Sequence, residues 1–159
     1  MTEFEIPFPP ITNDEHLDSW LQLITQYLRD NLDDAYLTAA FVDRGDPSAL
    51  DFDIDDLTCD GTWNDLDLSS IVPSGTVAVC LRVGVRDTDA AGSDIDFRKN
   101  GNSNAINKSS CSSPVANVAV SFDIIIPVDT SRVIEYNASA NYSSGAGDAI
   151  NIVVKGYWK

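Results

Sequence analysis

The side chains best suited to chemistry in this sequence are aspartates that stand two positions apart. They form four pairs, at positions 51 and 53, 65 and 67, 87 and 89, and 94 and 96. Paired carboxylates serve as acid and base in glycoside hydrolysis, or as oxygen ligands for calcium. A spacing of two also places both carboxylates on one face of a strand, where water solvates them. We take a solvated acidic face as the default interpretation.

Some of these aspartates could instead bind a metal ion. An EF-hand loop beginning at Asp51 fails, because Asp56 stands where the loop needs glycine and Thr62 where it needs a bidentate glutamate. A calcium site formed between loops stays open as a weaker alternative. Its candidate ligands are Asp87, Asp89 and Asp94.

Other catalytic and metal-binding patterns are missing from the sequence. The single histidine, His16, excludes a histidine-dependent triad or a multi-histidine metal site within one chain. Cys59, Cys80 and Cys111 lack the paired spacing of a zinc site and are predicted to be buried thiols. There is no G-x-S-x-G, phosphate-binding loop or dinucleotide fingerprint. We therefore predict no catalytic residues, no cofactor and a function that is not enzymatic.

The charge balance restricts the partners. The sequence has 25 acidic and 10 basic residues, a formal net charge of -15. Such a surface repels nucleic-acid phosphates and anionic lipid headgroups, so we expect no nucleic-acid binding. No run approaches the roughly 20 apolar residues of a membrane span, so we expect no membrane insertion. The first residues, MTEFEIPFPP, lack the features of a signal peptide, which predicts synthesis in the cytosol without a cleaved signal.

A change of hydrophobic period divides the chain into two regions. Between Asn13 and Leu32 apolar residues recur every three or four positions, which predicts an amphipathic helix. From Leu37 onward apolar and polar residues alternate, as in strands. We therefore predict an N-terminal arm and helix over residues 1–36 and a β-sandwich domain over residues 37–159.

The N-terminal region is suited to assembly. Three prolines favour an extended arm over residues 4–11, and the helix presents one apolar stripe that must be buried against its own sandwich or against copies of itself. We favour self-association, with docking onto the sandwich, or a disordered arm, as the alternatives. The predicted oligomer and docking contacts are Phe4, Ile6, Phe8, Ile11, Leu17, Trp20, Leu21, Ile24 and Leu28.

The second region reads as a series of half-buried strands. The clearest covers residues 77–85, where Val77, Val79, Leu81, Val83 and Val85 share one face. This number of strands predicts a mainly β fold, an antiparallel sandwich of jelly-roll type. Further strands are predicted at residues 50–54, 66–68, 95–97, 118–126, 134–136 and 150–158.

The segments between the strands are candidates for ligand contact. The loops around 87–94, 100–114 and 140–148 are predicted to face outward. Those at 100–114 and 140–148 are rich in Asn, Ser and Gly. Aromatic side chains stack on sugars, which makes Tyr142 and Trp63 weak ligand candidates. Together these features support an alternative function, a carbohydrate-binding module or lectin acting as a receptor-binding tip on a host glycan or receptor.

A family resemblance accompanies these patterns. The stretch from Trp63 to Trp158 contains WNDLDLSSIVPSG, LRVGVRD, FRKNGNSN, DIIIPVDTSRVIEYNAS and VKGYW. It resembles the β-domain of small virion structural proteins of tailed bacteriophages, of tail-fibre, head-fibre or decoration type. The resemblance implies an oligomer, with a trimer favoured, which attaches to other virion proteins and exposes a β-sandwich on the particle surface. No site residue is carried over from it.

Overall fold

The computed structural model describes residues 14–35, 40–89 and 92–159, and within the helix it describes the side chains of residues 18–28. The chain divides into two compact units, Met1–Ala39 and Ala40–Lys159, and we call the second the β unit. Helix α1, Asp14–Ala35, lies in the first unit and confirms the predicted helix. No helix in the described ranges has the length and apolar character needed to cross a membrane. The predicted arm, with Phe4, Ile6, Phe8 and Ile11, lies outside the described residues.

The described residues of the β unit form nine strands in two antiparallel sheets. Two short 3-10 helices, Ile54–Asp56 and Ser144–Ala146, lie between strands. The strands in chain order are β1 Phe41–Asp43, β2 Phe52–Asp53, β3 Asn64–Asp67, β4 Ala78–Arg86, β5 Ser93–Lys99, β6 Ser109–Ser113, β7 Val120–Pro127, β8 Val133–Ala138 and β9 Ala149–Trp158.

The chain passes repeatedly from one sheet to the other. The first sheet has the order β1-β9-β4-β7, and β2 pairs with another part of β9. The second sheet has the order β3-β8-β5-β6. From β2 onward each strand is followed by a strand of the opposite sheet, except for the hairpin of β5 and β6. Neighbours within a sheet are therefore mostly distant in the sequence.

Alternate residues of both sheets fill one apolar core. In β4 every second side chain from Val79 to Val85 is buried. The second sheet contributes Ile95, Phe97 and Ile134 to the same cluster, each fully buried. The prediction of a mainly β fold is confirmed at the level of two antiparallel sheets that share a core.

Two predicted strands begin too early, because the alternation of apolar and polar residues in the sequence continues beyond the residues that reach the core. Val77, predicted to face inward, is 54% exposed because it precedes β4. Its N–H donates to the Trp158 carbonyl oxygen, and its carbonyl oxygen accepts from the Val128 N–H. The backbone pairing therefore extends to Val77, although its side chain is exposed. Val118 was expected to begin a strand, but it precedes β7 and is also exposed.

The aspartates around residue 53 form a turn where we expected a strand. Only Phe52–Asp53 pairs with β9, and Leu50 is exposed. The Asp53 carboxylate accepts from the Asp55 N–H at 2.9 Å, while Asp56 accepts from the Asp53 N–H at 2.9 Å. This reciprocal cap begins a 3-10 helix and ends the strand.

Strand β6 was not predicted, because its sequence SSCSS contains a single apolar residue. It lies within the segment 100–114 that we expected to be a loop. Cys111 lies opposite Ile95 and is fully buried, and Ser113 is buried beside it. Small side chains on the core face allow this strand to pair without a hydrophobic pattern.

Gly156 allows β1 to approach β9. The pairing of β4 with β9 has a bulge at this point, where Cys80 pairs with Gly156 and Leu81 with Val154. The rings of Phe41 and Trp158 lie against each other with centroids 4.8 Å apart. A methyl group on Gly156 would overlap the Phe41 ring and come within 2.5 Å of the Val42 carbonyl oxygen. The contact between β1 and β9 therefore requires glycine.

We predict that Gly156→Ala lowers the free energy of unfolding by about 1–3 kcal/mol, because β1 must shift to relieve the overlap. Gly145→Ala is the matched control, since its added methyl group meets no atom within 4 Å. It should change stability by less than about 0.5 kcal/mol. Chemical denaturation of both variants measures the difference. Equal stabilities would contradict the described position of β1.

Candidate functional site

Residues at the ends of three strands and in one loop form a polar cluster. Asp87 follows β4, Ser93 begins β5, and Asp148 precedes β9. Tyr142 lies in the loop that joins β8 to β9. All four residues are buried, at 7% exposure or less. We call this group the aspartate cluster. It fixes residues 87–89 and 139–148 relative to the two sheets.

Asp87 is the most deeply buried carboxylate of the cluster, at 1% exposure. One oxygen accepts a hydrogen bond from the Ser93 hydroxyl, and the other accepts from the Asp89 N–H at 2.9 Å. The Asp87 carbonyl oxygen also accepts from the Asn117 N–H at 2.6 Å. Buried charge requires such partners. The carboxylate is thus used to hold the backbone of its own loop.

Asp148 joins two loops. Its Oδ1 accepts from the Thr88 N–H and from the Thr88 hydroxyl, both at 2.7 Å, and its Oδ2 accepts from the Ser143 N–H at 2.9 Å. Burial by itself raises the pKa of Asp148, but these hydrogen bonds outweigh burial and the net pKa is lowered. The sequence reasoning missed Asp148. Its position between a Gly-rich loop and a predicted strand was the available signal.

Tyr142, a weak sugar-binding candidate, lies inside the cluster. It is 4% exposed, and its hydroxyl donates to the Ser93 carbonyl oxygen at 3.1 Å. Burial and the nearby aspartate charges raise the pKa of this hydroxyl. The ring supports the loop from within and offers no exposed face for stacking on a sugar.

The three calcium candidates do not share a common position. Asp87 is bonded within its loop, Asp89 is exposed, and Asp94 lies in β5 opposite Ser112. The Asp94 carbonyl oxygen accepts from the Ser139 N–H at 2.9 Å. Within residues 14–35, 40–89 and 92–159, no group of three or more His, Cys, Asp or Glu side chains is placed to hold a metal ion.

Trp63, the other aromatic candidate, is covered by a cation. The guanidinium carbon of Arg98 lies 3.9 Å from the ring centroid, within range of a cation–π interaction. Arg98 Nε also forms an ion pair with Glu135 Oε2 at 2.5 Å. A sugar would have to displace this arginine to stack on the same face of the indole.

The predicted assembly face of α1 is largely open to solvent. Leu21 is 48% exposed and Leu28 is 45% exposed, while Trp20 and Ile24 are partly buried. The side chain of Leu17 lies outside the described residues. Large apolar side chains in water along one helix stripe are typical of a surface that another helix covers.

Comparisons with known proteins add no family assignment. Neither the protein-family models nor the curated proteins contain a match to this sequence. Two features of the described residues are left to indicate a function, the exposed stripe of α1 and the polar surfaces of the β unit.

We predict that Asp148→Asn lowers the free energy of unfolding by about 1–3 kcal/mol at pH 7. An amide accepts hydrogen bonds only at its oxygen, so the N–H of either Thr88 or Ser143 loses its acceptor. Asp89→Asn, on an exposed carboxylate, is the matched control and should be near neutral.

The effect of this substitution should depend on pH. The folded-state pKa of Asp148 lies below the ordinary value of 3.8, so its stabilisation is complete above about pH 4. It is lost as the pH falls through the folded-state pKa. Urea denaturation at pH 7 and pH 2.5 should therefore show a smaller difference between wild type and Asp148→Asn at the lower pH. A difference that grows on acidification would contradict the described hydrogen bonds.

Proposed function

We propose that this protein is a structural subunit of a bacteriophage particle. It acts as an oligomer, with a trimer favoured, and serves as a fibre, decoration or attachment subunit. In this proposal α1 forms the contacts between copies, and the β unit is displayed on the particle surface. The observation that carries the proposal is the exposed apolar stripe of α1.

Burial of the exposed stripe would favour association of α1 with other copies of the helix. Burying one leucine side chain stabilises an assembly by roughly 1.5–3 kcal/mol, and Leu21 and Leu28 are both about half exposed. A single pair of helices would leave the stripe incompletely covered, since Trp20 and Tyr27 widen it beyond a two-stranded seam. Three copies around one axis can bury the wider stripe, which favours the trimer.

The strand order supports a jelly roll, the finer fold that the sequence predicted. In a jelly roll eight strands form two four-stranded sheets, and the chain crosses between them in two Greek keys. The orders β2-β9-β4-β7 and β3-β8-β5-β6 fit that arrangement. Jelly rolls are common in viral capsid proteins and lectins, so this likeness is an argument by fold analogy.

The remaining parts of the proposal follow from charge and from the resemblance. A net charge of -15 keeps a displayed domain soluble and discourages contact with nucleic acid. The apolar residues of the arm, from Phe4 to Ile11, would attach the oligomer to other virion proteins. The subunit would assemble in the host cytoplasm and remain in the virion. It would not insert into a membrane.

We predict that Leu21→Asp combined with Ile24→Asp converts the oligomer to monomers, because four or six buried carboxylates would oppose association of two or three copies. The β unit has its own core and should remain folded. The control is Gln22→Asp with Gln26→Asp, which adds the same charge outside the stripe.

Light scattering gives the mass of each variant, and far-ultraviolet circular dichroism monitors the fold. The control should keep the wild-type mass. A stripe variant that keeps the wild-type mass, or a wild-type protein that is already monomeric, would overturn the proposed role of α1.

A further inference from the structure

A shallow groove crosses the outer face of the first sheet at Gly84. This residue lies in the middle of β4, between Ser121 of β7 and Asn151 of β9. A methyl group built on Gly84 would lie 3.6 Å from Ser121 Oγ and 3.6 Å from Asn151 Cβ, so the position has room for one. The missing side chain leaves a depression between two polar neighbours. The groove has a volume of about 290 Å³.

Two arginines stand at the ends of this groove. Arg82 and Arg86 lie two positions on either side of Gly84 and line the same depression. Their Cα atoms are about 13 Å apart along an extended strand. Arg82 donates to Ser121 Oγ at 3.2 Å, and Arg86 Nη2 donates to the Gly147 carbonyl oxygen. The groove is therefore bounded by two guanidinium groups and has hydroxyl and amide groups at its centre.

Neither guanidinium group is in a direct ion pair with a described residue, although the charge of Arg86 contributes to the lowered pKa of Asp148. Four other basic side chains form ion pairs, but neither Arg82 nor Arg86 does so with any residue that the structure describes. The register places Asp123 opposite Arg82, but its Oδ2 binds Lys155 Nζ at 2.9 Å. Arg86 Nε is also buried without a hydrogen-bond partner. Among the described residues, both guanidinium groups are therefore free of direct contact with a carboxylate.

We propose that this groove, formed by Arg82, Gly84, Arg86, Ser121 and Asn151, binds an oligosaccharide that carries carboxylate or sulfate groups. The remaining N–H groups of each guanidinium can donate charge-assisted hydrogen bonds to an anionic group. The Ser121 hydroxyl and the Asn151 amide can bond to sugar hydroxyls. The separation of the arginines suits a ligand with more than one charged group. This inference does not depend on the proposed role in a virion.

Other polymers fit the groove less well. None of the described residues that line it is aromatic, so they offer a nucleobase no ring to stack on. The overall charge of -15 also opposes the dense phosphates of nucleic acid. A peptide that adds a strand would pair with the outer edge of β7, and would not fill the depression over β4, which is paired on both sides with β7 and β9. An anionic sugar can bind on the face of the sheet without pairing with a strand edge.

The test is a nuclear magnetic resonance titration of the full chain at low salt. Three probes separate the chemistry: a hyaluronan tetrasaccharide, which carries carboxylate and no sulfate, a carrageenan tetrasaccharide, which carries sulfate and no carboxylate, and a neutral chitin tetrasaccharide as control. We expect at least one anionic probe to shift the amide signals of Gly84, Ser121 and Asn151, and the neutral probe to leave them in place. Added salt should weaken the binding.

Two variants test the groove in different ways. Arg82→Gln should weaken anionic binding about tenfold, through loss of one charge-assisted pair. Gly84→Val should weaken it with the charges unchanged, since the new side chain fills the depression. The control is Lys99→Gln, which removes one positive charge from the exposed end of β5 in the second sheet.

The outcomes are decisive in either direction. Binding of an anionic probe that falls in both groove variants and persists in Lys99→Gln supports the proposal. The response to carboxylate or to sulfate then identifies the charged group. The proposal is overturned by no shift with either anionic probe, by equal binding of the neutral probe, or by equal weakening in the Lys99 variant.

Discussion

The pairing of β4 with β9 is the interaction on which the β unit depends. The two strands are the longest in the described chain and pair along nearly their whole length. Their inward residues, including Leu81, Val83, Ile152 and Val154, are fully buried in the core. Because side chains alternate along a strand, burying one set places the other on the outer face. The same pairing therefore fixes both the core and the groove at Gly84.

The strand ends near Asp87 and Asp148 are supported by hydrogen bonds as well as by the core. Buried aspartates accept these hydrogen bonds. Asp148 connects Thr88 to Ser143, and Asp87 connects Ser93 to Asp89. Part of the acidity of this protein is thus structural. Among the aspartates whose spacing suggested chemistry in the sequence, Asp53, Asp67 and Asp87 accept hydrogen bonds from backbone N–H groups two residues later.

Features with a strong hydrophobic period were predictable from the sequence. The stripe of α1 and the alternation in β4 each repeat often enough to determine the element. Strand β6 was not predictable, because serine and cysteine fill its core positions and give no hydrophobic signal. The groove required knowledge of the register, since Ser121 and Asn151 are distant from Gly84 in the chain. Tyr142 illustrates the opposite error, in that an aromatic residue in a polar loop proved to be buried.

In the function that we propose, α1 assembles copies of the chain and the β unit is exposed on the particle surface. The most direct test is the absolute mass in solution, by light scattering, of the full chain and of a shortened chain that begins at Ala40. One chain has a mass of 17.2 kDa. If α1 forms a trimer, we expect about three times that mass for the full chain, and a folded monomer for the shortened one. A full chain that is monomeric, or an oligomer that survives removal of α1, would contradict it.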